Sequence, residues 1–377
     1  MKSAGKPDQL ERAMLINAEV IEGLSFVDAI VFDIDGVLVD VSESFRVVTC
    51  EAVRLYAEKI LGWEVDVPLL TPKEIELIKS AGNFNSDWDV AKFAALFYLF
   101  KSLRHGVKRA SQLRSLKPSL EEFLQIVIRM GGGFEKAESY ILSQHDIVTR
   151  RTLAREWKPR LVVQLFQELY GGDEWCQYLY GFQPQYVRGP GYIEKERVLI
   201  DVRLIPKNLK LGILTGRTRR EAELALKRCG LSELIPQRFW ITDDDGLRKP
   251  DGRALWLVLD RVGASNAVYI GDGIDDLMTA QNYCEWMEEG YPKVIFCAVL
   301  SGMDKESHRR MFIERGADVV SPDVNFFLSY LRSAMELKAG RASRHLKGKV
   351  IGRMLKGDGD KKGGIRKQAN ERDEGSC

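Results

Sequence analysis

The chain has 377 residues, of which 45% are hydrophobic and 29% are charged. This length and balance are typical of a globular protein with room for two domains. The longest apolar run, residues 93–100, falls far short of the roughly 20 residues that cross a bilayer. Residues 1–9 carry charges and a proline rather than the hydrophobic segment of a secretory signal. We therefore expect a cytoplasmic protein without a membrane span.

The net charge of +2 conceals a basic tail. Residues 338–377 hold twelve Lys/Arg against five Asp/Glu, with many glycines and almost no aromatic residues. Such a segment cannot bury enough apolar surface to fold, so we predict a disordered tail over residues 336–377. Its charge could contact nucleic acid, but without interleaved aromatic residues an inert, solvated tail is the favoured interpretation. The six cysteines lie far apart and are interpreted as small buried hydrophobic residues.

Along the chain, residues 1–25 come first, with a short amphipathic helix predicted over residues 9–24. The apolar run 29–32 follows, as in a strand whose two faces are both buried. Directly after it comes the segment Asp33-Ile34-Asp35-Gly36-Val37-Leu38-Val39-Asp40. Ligands of open parallel sheets bind beyond the carboxyl ends of the strands. The two carboxylates of Asp33 and Asp35 are therefore predicted to face an active-site crevice.

The next part of the chain, residues 41–199, is predicted to be a mainly α-helical insert. Apolar residues recur at helical spacing over residues 42–61, 73–79, 90–103, 120–130 and 161–170. The three glycines at 131–133 are interpreted as a loop between helices, with a hinge as the alternative.

Parallel-strand patterns return over residues 209–214, 267–270, 294–300 and 317–320. Helix or turn residues follow each strand, as in an alternating α/β domain. One helix is well marked, because Thr218 and Glu221 form a capping box and Gly230 can end the helix. The predicted fold is a doubly wound, Rossmann-like parallel sheet built from residues 26–40 and 200–335, with the helical insert as a cap domain.

Three further segments of this core carry polar groups. Thr215, Gly216 and Arg217 follow the strand at 209–214, where a hydroxyl and backbone N–H groups can hold phosphate oxygens. Lys249 lies in the tight loop Arg248-Lys249-Pro250-Asp251-Gly252 and is a candidate phosphate ligand. The strand at 267–270 leads into Gly271-Asp272-Gly273-Ile274-Asp275-Asp276. Several carboxylates at neighbouring strand ends repel one another unless a hard cation such as Mg²⁺ neutralises them.

Each segment alone is common, but the four in this order resemble the haloacid dehalogenase superfamily of phosphohydrolases over residues 26–335. The position of the insert is similar to the subfamily with a helical cap, which includes phosphoglycolate phosphatase and β-phosphoglucomutase. Residues 40–46 and 81–89 are similar to a poorly characterised clade of that subfamily, for some members of which a link to histidine biosynthesis has been suggested. The cap of this chain is longer than usual, so the substrate contacts of the family cannot be transferred.

The resemblance implies a Mg²⁺-dependent phosphatase acting on a small phosphorylated metabolite. Asp33 would be the nucleophile and Asp35 the general acid and base. Thr215, Gly216 and Lys249 would bind the phosphate. Asp33, the backbone carbonyl of Asp35, and Asp272 would bind the metal, with Asp275 and Asp276 orienting these ligands. The substrate, the oligomeric state and the role of the tail are not readable from the sequence.

Substrate-binding candidates are Arg46, Asn83, Asn85 and Arg217, although turns and a helix cap are the favoured interpretation of the asparagines. Two alternative functions stay open. A phosphomutase would use the same aspartate pair and return the phosphoryl group to another hydroxyl, and a non-catalytic module would only bind a phosphorylated ligand. Dehalogenation is disfavoured because, by the resemblance, dehalogenases lack an aspartate at the position of Asp35.

Overall fold

A computed structural model describes residues 13–84, 86–144, 146–301 and 305–338. Its main sheet has seven strands in the order β1-β9-β8-β7-β2-β5-β6, all parallel except β1, which runs antiparallel to β9. The strands are β1 (Leu15–Ile16), β2 (Ala29–Phe32), β5 (Lys210–Leu214), β6 (Trp240–Ile241), β7 (Asn266–Gly271), β8 (Lys293–Val299) and β9 (Val319–Ser321). A separate antiparallel pair joins β3 (Val39–Asp40) to β4 (Arg197–Val198).

Thirteen α-helices lie in the described part of the chain. Eight stand between β3 and β4, namely α1 (Phe45–Leu55), α2 (Pro72–Ser80), α3 (Asp87–His105), α4 (Ala110–Ser115), α5 (Leu120–Arg129), α6 (Phe134–Ser143), α7 (Ile147–Glu156) and α8 (Pro159–Tyr180). The other five alternate with the later strands: α9 (Arg219–Arg228), α10 (Gly252–Val262), α11 (Ile274–Trp286), α12 (Lys305–Glu314) and α13 (Val324–Lys338).

The sheet is covered on both faces, which confirms the predicted doubly wound α/β fold. Successive residues of β2 enter different hydrophobic clusters: Ile30 and Phe32 pack with α9 and α13, whereas Ala29 and Val31 pack with α10, α11 and α12. The alternation follows from the pleat of a strand, which sends neighbouring side chains to opposite faces. A strand with two buried faces must be apolar throughout. For this reason the position of β2 could be predicted from the sequence.

The helices α1 to α8 build a hydrophobic cluster of their own, apart from the sheet. At its centre lies α3, in which every residue from Phe93 to Ser102 is buried. A helix that is apolar on all sides needs neighbours all around it, and α1, α6, α7 and α8 are among the helices that contact it. We call α1–α8 the cap.

Two short segments connect the cap to the core. The chain leaves the core through β3 and returns through β4, and Val39 and Asp40 pair with Val198 and Arg197. The entry and exit of the cap are therefore held side by side at the carboxyl edge of the sheet. A movement of the cap relative to the core would have to pass through this pair of strands.

Some predictions about local structure are wrong. The predicted amphipathic helix is absent from residues 13–22, where Leu15 and Ile16 form the edge strand β1 against Val320 and Val319, and a short 3-10 helix follows over Gly23–Phe26. A segment this short takes its conformation from the sheet edge next to it rather than from its own periodicity. The helices α4, α6 and α7 and the strand β6 were not predicted, because each has few apolar residues or is very short. The glycines 131–133 connect α5 to α6 and all have positive φ.

The cysteines agree only in part with the prediction that they are buried. Cys176, Cys229 and Cys297 are buried as expected, but Cys284 is exposed. The first three residues of the predicted disordered tail, 336–338, instead belong to α13, and the remainder from position 339 onward lies outside the described residues. Among the described residues, no helix is both long and apolar enough to span a membrane.

Gly172 interrupts the long cap helix α8 with φ 59° and ψ −165°, a conformation essentially restricted to glycine. A Cβ atom there would lie 2.2 Å from the backbone nitrogen of Gly191. We expect Gly172→Ala to lower the free energy of unfolding by about 3 kcal/mol, as measured by urea denaturation. Gly181→Ala, at the residue that caps the end of the same helix, is the control, because its φ is also positive but its Cβ would meet no atom within 4 Å. Gly181→Ala should lower the free energy of unfolding by only about 1 kcal/mol. Equal losses in the two variants would contradict the view that the close approach of Gly191 makes Gly172→Ala costly.

Candidate active site

Three predicted segments meet at one edge of the sheet. Phe32 of β2 is in register with Ile213 of β5 on one side and with Ile270 of β7 on the other. Because these strands are parallel neighbours, the residues that follow them, Asp33, Thr215 and Asp272, emerge side by side.

The turn after β2 wraps tightly around the first carboxylates. The backbone N–H groups of Leu38 and Val39 donate to the carbonyl of Ile34 at 2.8 and 3.0 Å. Gly36 has φ 70°, and a Cβ at this position would lie 1.8 Å from Oδ2 of Asp272. Glycine is therefore required both for the turn and for the close approach of the Asp272 carboxylate.

Lys249, the candidate phosphate ligand of the third segment, lies among the carboxylates. Its Nζ is 2.8 Å from Oδ1 of Asp33 and 2.6 Å from Oδ1 of Asp276. Asp276 has two further partners, since the Tyr269 hydroxyl and the backbone N–H of Gly273 donate to it. Both oxygens of Asp276 thus have partners in the protein.

Negative charge exceeds positive charge in this buried cluster. Burial raises the pKa of Asp33 to about 8, with Lys249 opposing the rise and the neighbouring carboxyls adding to it. Burial also raises the pKa of Asp272 and of Asp275 to about 6, again with the charge of Asp276 adding to the rise. For Lys249, burial lowers the pKa, but the carboxylates of Asp276 and Asp33 raise it more. The single positive charge of Lys249 does not neutralise the carboxyl groups of Asp33, Asp272, Asp275 and Asp276. The cluster therefore favours the binding of a proton or of a further cation.

The arrangement fits a hard divalent cation. One oxygen from each of Asp33, Asp272 and Asp276 lies within 4.8 Å of the others. Oxygen ligands of this kind are preferred by Mg²⁺. Asp272 is further fixed by the hydroxyl of Ser301, which donates to its Oδ2.

A cavity of about 180 Å³ opens between this edge of the sheet and the cap. The core contributes Asp33, Asp35, Gly216, Lys249 and Asp272 to its walls, together with Asp275 and Asp276. The cap contributes polar groups at Arg46, Glu76, Lys79 and Ser80, and a ring at Phe84. Predicted catalytic residues and cap side chains therefore share one small chamber.

Thr215 is buried beside this chamber rather than in its wall. Its Oγ1 accepts a hydrogen bond from the backbone N–H of Arg217 at 3.3 Å, while Gly216 between them lines the cavity. Asp275 reaches the chamber with one carboxylate oxygen, Oδ1, that is buried and has no hydrogen-bond partner among the described residues.

Of the predicted substrate-binding residues, some line the cavity and others do not. Arg46 lines the cavity and forms an ion pair with Glu76 at 3.1 Å. Asn83 does not line it, because its side-chain amide donates to the carbonyl of Gly131 at 2.7 Å and so joins two cap loops. Asn85 lies outside the described residues.

The structure does not support substrate binding by Arg217. Its side chain is only 1% exposed and forms ion pairs with Asp35 and Glu196. Burial opposes the charge, but the two carboxylates raise the pKa of Arg217 well above its ordinary value. A guanidinium that is already enclosed by protein acceptors is not free to bind a ligand.

Several residues of the site were missed by sequence reasoning. Tyr269 sits inside an apolar strand pattern and looked like core, whereas Glu196 and Tyr170 belong to the cap and its exit, far from Arg217 in sequence. Lys79 and Glu76 lie on an ordinary amphipathic helix. No local pattern distinguishes such residues, because their roles arise from contacts between distant segments.

Comparisons with known proteins find similar hydrolases. The model of the haloacid dehalogenase-like hydrolase family matches residues 193–283. The solved structure of phosphatase Tt82 from Thermococcus thioreducens is 26% identical, with a TM-score of 0.51, and the match covers 80% of this chain and 98% of that one. HAD hydrolase, family IA, variant 3 from Entamoeba histolytica HM-1:IMSS is less similar, at 12% identity and a TM-score of 0.43 over 81% of this chain and 99% of its own.

One curated relative also matches. Imidazoleglycerol-phosphate dehydratase from Phytophthora nicotianae is 22% identical over 257 residues, which is 68% of this chain. The match spans only 41% of the length of that relative.

The fold and the site define an α/β protein with a helical cap over a cluster of carboxylates at the carboxyl edge of its sheet. Residues 193–283 match the haloacid dehalogenase-like hydrolase family, and the fold is similar to that of phosphatase Tt82.

Proposed function

We propose that this protein is a Mg²⁺-dependent phosphatase that hydrolyses a small phosphomonoester through an aspartyl-phosphate on Asp33. The supporting observation is the position of the Asp33 carboxylate, which is buried, 2.8 Å from the Lys249 ammonium and in one cavity with Asp35 and Asp272. The similarity to phosphatase Tt82 supports the same reaction class.

In the first step, a carboxylate oxygen of Asp33 attacks phosphorus in line with the leaving oxygen. The bond between phosphorus and that oxygen breaks as Asp35 donates a proton to it, so an alcohol leaves. Lys249 and the backbone N–H groups near Gly216 stabilise negative charge on the phosphoryl oxygens.

In the second step, water attacks phosphorus of the aspartyl-phosphate while Asp35 accepts its proton. The bond between phosphorus and the Asp33 oxygen breaks, and inorganic phosphate leaves. Both carboxyl groups return to their starting states. Asp35 therefore serves as acid in one step and as base in the next.

Mg²⁺ would be held by Asp33, Asp272 and the backbone carbonyl of Asp35, with Asp275 and Asp276 orienting these ligands. When bound, it supplies positive charge that neutralises the carboxylates and the phosphoryl group. The supporting observation is that one carboxylate oxygen from each of Asp33, Asp272 and Asp276 lies within 4.8 Å of the others.

The cavity favours a small substrate. Its volume of about 180 Å³ is below the roughly 300–1,000 Å³ of sites that take drug-sized ligands. The name of the Phytophthora relative refers to a phosphorylated imidazole compound, but that match spans 41% of the relative. We therefore propose a class of substrate, small alkyl phosphomonoesters, and no single compound.

A panel assay tests the proposal. Purified protein is incubated with sugar phosphates, phosphoglycolate, histidinol phosphate and nucleotides, and phosphate release is measured with Mg²⁺ and with EDTA. We expect release from at least one small monoester with Mg²⁺ and a loss of about 100-fold or more with EDTA, because uncompensated carboxylates then repel the substrate. An isomerised sugar phosphate without free phosphate would indicate a phosphomutase instead. Binding without turnover would indicate a non-catalytic module.

A further inference from the structure

Arg217 is a buried cation that links the core of the molecule to the cap. Its Nε and Nη2 atoms both lie 2.7 Å from Oδ1 of Asp35. Its Nη2 also lies 2.8 Å from Oε1 of Glu196. A third contact, at 3.3 Å, joins Nη1 to the hydroxyl of Tyr170. One guanidinium therefore joins three segments that are far apart in sequence.

The partners of Arg217 belong to different parts of the fold. Asp35 is in the turn after β2, Glu196 immediately precedes β4 at the exit of the cap, and Tyr170 lies in α8. The ring of Phe45, the first residue of α1, completes the enclosure, with its centroid 5.0 Å from the guanidinium carbon. Residues from both the entry and the exit of the cap therefore contact the Arg217 side chain.

These contacts are mutually dependent. The hydroxyl of Tyr170 donates to Oε1 of Glu196 at 2.7 Å, and its ring stacks on Phe45 with centroids 4.4 Å apart. The side chain of Glu196 is only 1% exposed. A buried carboxylate or guanidinium that loses its partner is costly, so the group is stable only when all of its members are in place.

We propose that Arg217 is a positioning residue that orients the Asp35 carboxylate when the cap is seated on the core. A cap that lifts off withdraws Tyr170 and Phe45 and displaces Glu196, so Arg217 no longer has a fixed place from which to hold Asp35. Proton transfer by Asp35 is thereby linked to closure of the cap over a substrate. The inference rests on the proposed function, since it assigns Asp35 the acid and base role.

The leaving group of the substrate provides the test. An alkoxide needs a proton to leave, whereas p-nitrophenolate is a much weaker base and leaves without one. A residue that orients the acid should therefore affect kcat/KM for an alkyl phosphate more than kcat/KM for p-nitrophenyl phosphate. General damage to the fold would lower both values together.

We would measure both kcat/KM values for the wild type and for Asp35→Asn, Arg217→Gln, Glu196→Gln and Tyr170→Phe, using the alkyl monoester that is hydrolysed fastest in the panel. We expect Arg217→Gln to lower the alkyl value about 100-fold and the aryl value less than about tenfold. Tyr170→Phe keeps the ring stack and should lower the alkyl value alone, by about fivefold, because only one anchor of the group is lost. In the Asp35→Asn background, Arg217→Gln should not change the ratio of the two values further.

Arg197→Gln is the matched control. This arginine lies next to Glu196 in the exit strand β4 and forms an ion pair with Glu43, not with Asp35, Glu196 or Arg217. Its removal should leave the ratio of alkyl to aryl kcat/KM unchanged. Equal losses on both substrates in Tyr170→Phe and Arg217→Gln would overturn the inference while leaving the phosphatase proposal intact. A wild-type protein that hydrolyses neither substrate with Mg²⁺ would contradict the proposed function itself, and the inference with it.

Discussion

Asp33→Asn is expected to lower kcat for phosphate release by about 10⁴-fold or more, because the amide oxygen cannot replace the carboxylate as a nucleophile. The substitution is nearly isosteric and removes only a charge that burial already disfavours, since burial raises the pKa of Asp33 to about 8. The fold should therefore persist while turnover is lost. Acid-quenched wild-type protein should gain a covalent phosphoryl group by intact mass, and the variant should gain none.

Asp28→Asn is the control for this experiment. Asp28 directly precedes β2, the strand that Asp33 directly follows, and its carboxylate accepts from the backbone N–H groups of Ser265 and Asn266 at 3.0 and 2.8 Å. It is remote from the proposed chemistry, so kcat should stay at the wild-type value. Phosphate release by Asp33→Asn at the wild-type rate would show that another group is the nucleophile.

Lys249→Met is expected to lower the free energy of unfolding by about 3–5 kcal/mol without a divalent cation, because it leaves two buried carboxylates without their cation. Asp33 and Asp276 lose ion pairs of 2.8 and 2.6 Å. Millimolar Mg²⁺ should recover part of this loss by binding the folded state. Turnover should fall as well, since Lys249 no longer stabilises the phosphoryl oxygens. Urea denaturation in EDTA and in Mg²⁺ measures the stability.

The same charges predict how stability depends on pH. The pKa of Asp33 rises from an ordinary value of 3.8 to about 8 in the folded protein, so the folded state binds the proton more tightly than the unfolded state. In EDTA, stability should therefore be greatest below about pH 4 for this group and should fall as the pH rises through about 8. The deficit of Lys249→Met should likewise be smaller in acid, where protonation neutralises the unpaired carboxyls.

Lys210→Met provides the comparison for Lys249→Met. Lys210 forms a single ion pair with Asp28 at 3.0 Å, and its side chain is 44% exposed. Pairs of this kind contribute at most about 1 kcal/mol. A loss in Lys249→Met no larger than that in Lys210→Met would contradict the view that burial makes the Lys249 cluster costly to break.

Much of the core was predictable because its patterns are local. The strand β2 is apolar on both faces, and the structure confirms its bounds. The capping box of Thr218 and Glu221 is present, and Gly230 has the positive φ that ends a helix there. Edge strand β1 and strand β6, with two residues each, lacked such patterns, because short strands obtain their stability from the neighbouring strand rather than from their own residues.

The candidate site also has a part that local sequence patterns predict and a part that they do not. The sequence alone determined the types and the order of the groups at the strand ends, from Asp33 through Thr215 and Lys249 to Asp272, because parallel strands bring their carboxyl ends to one edge. Only the tertiary structure decided what surrounds them. It enclosed Arg217 between Asp35 and Glu196 rather than leaving it for a substrate, turned Asn83 toward a cap loop, and brought Lys79 into the cavity. These outcomes depend on how the cap folds and packs against the core, and contacts between segments that are separated in sequence leave no periodicity in the chain.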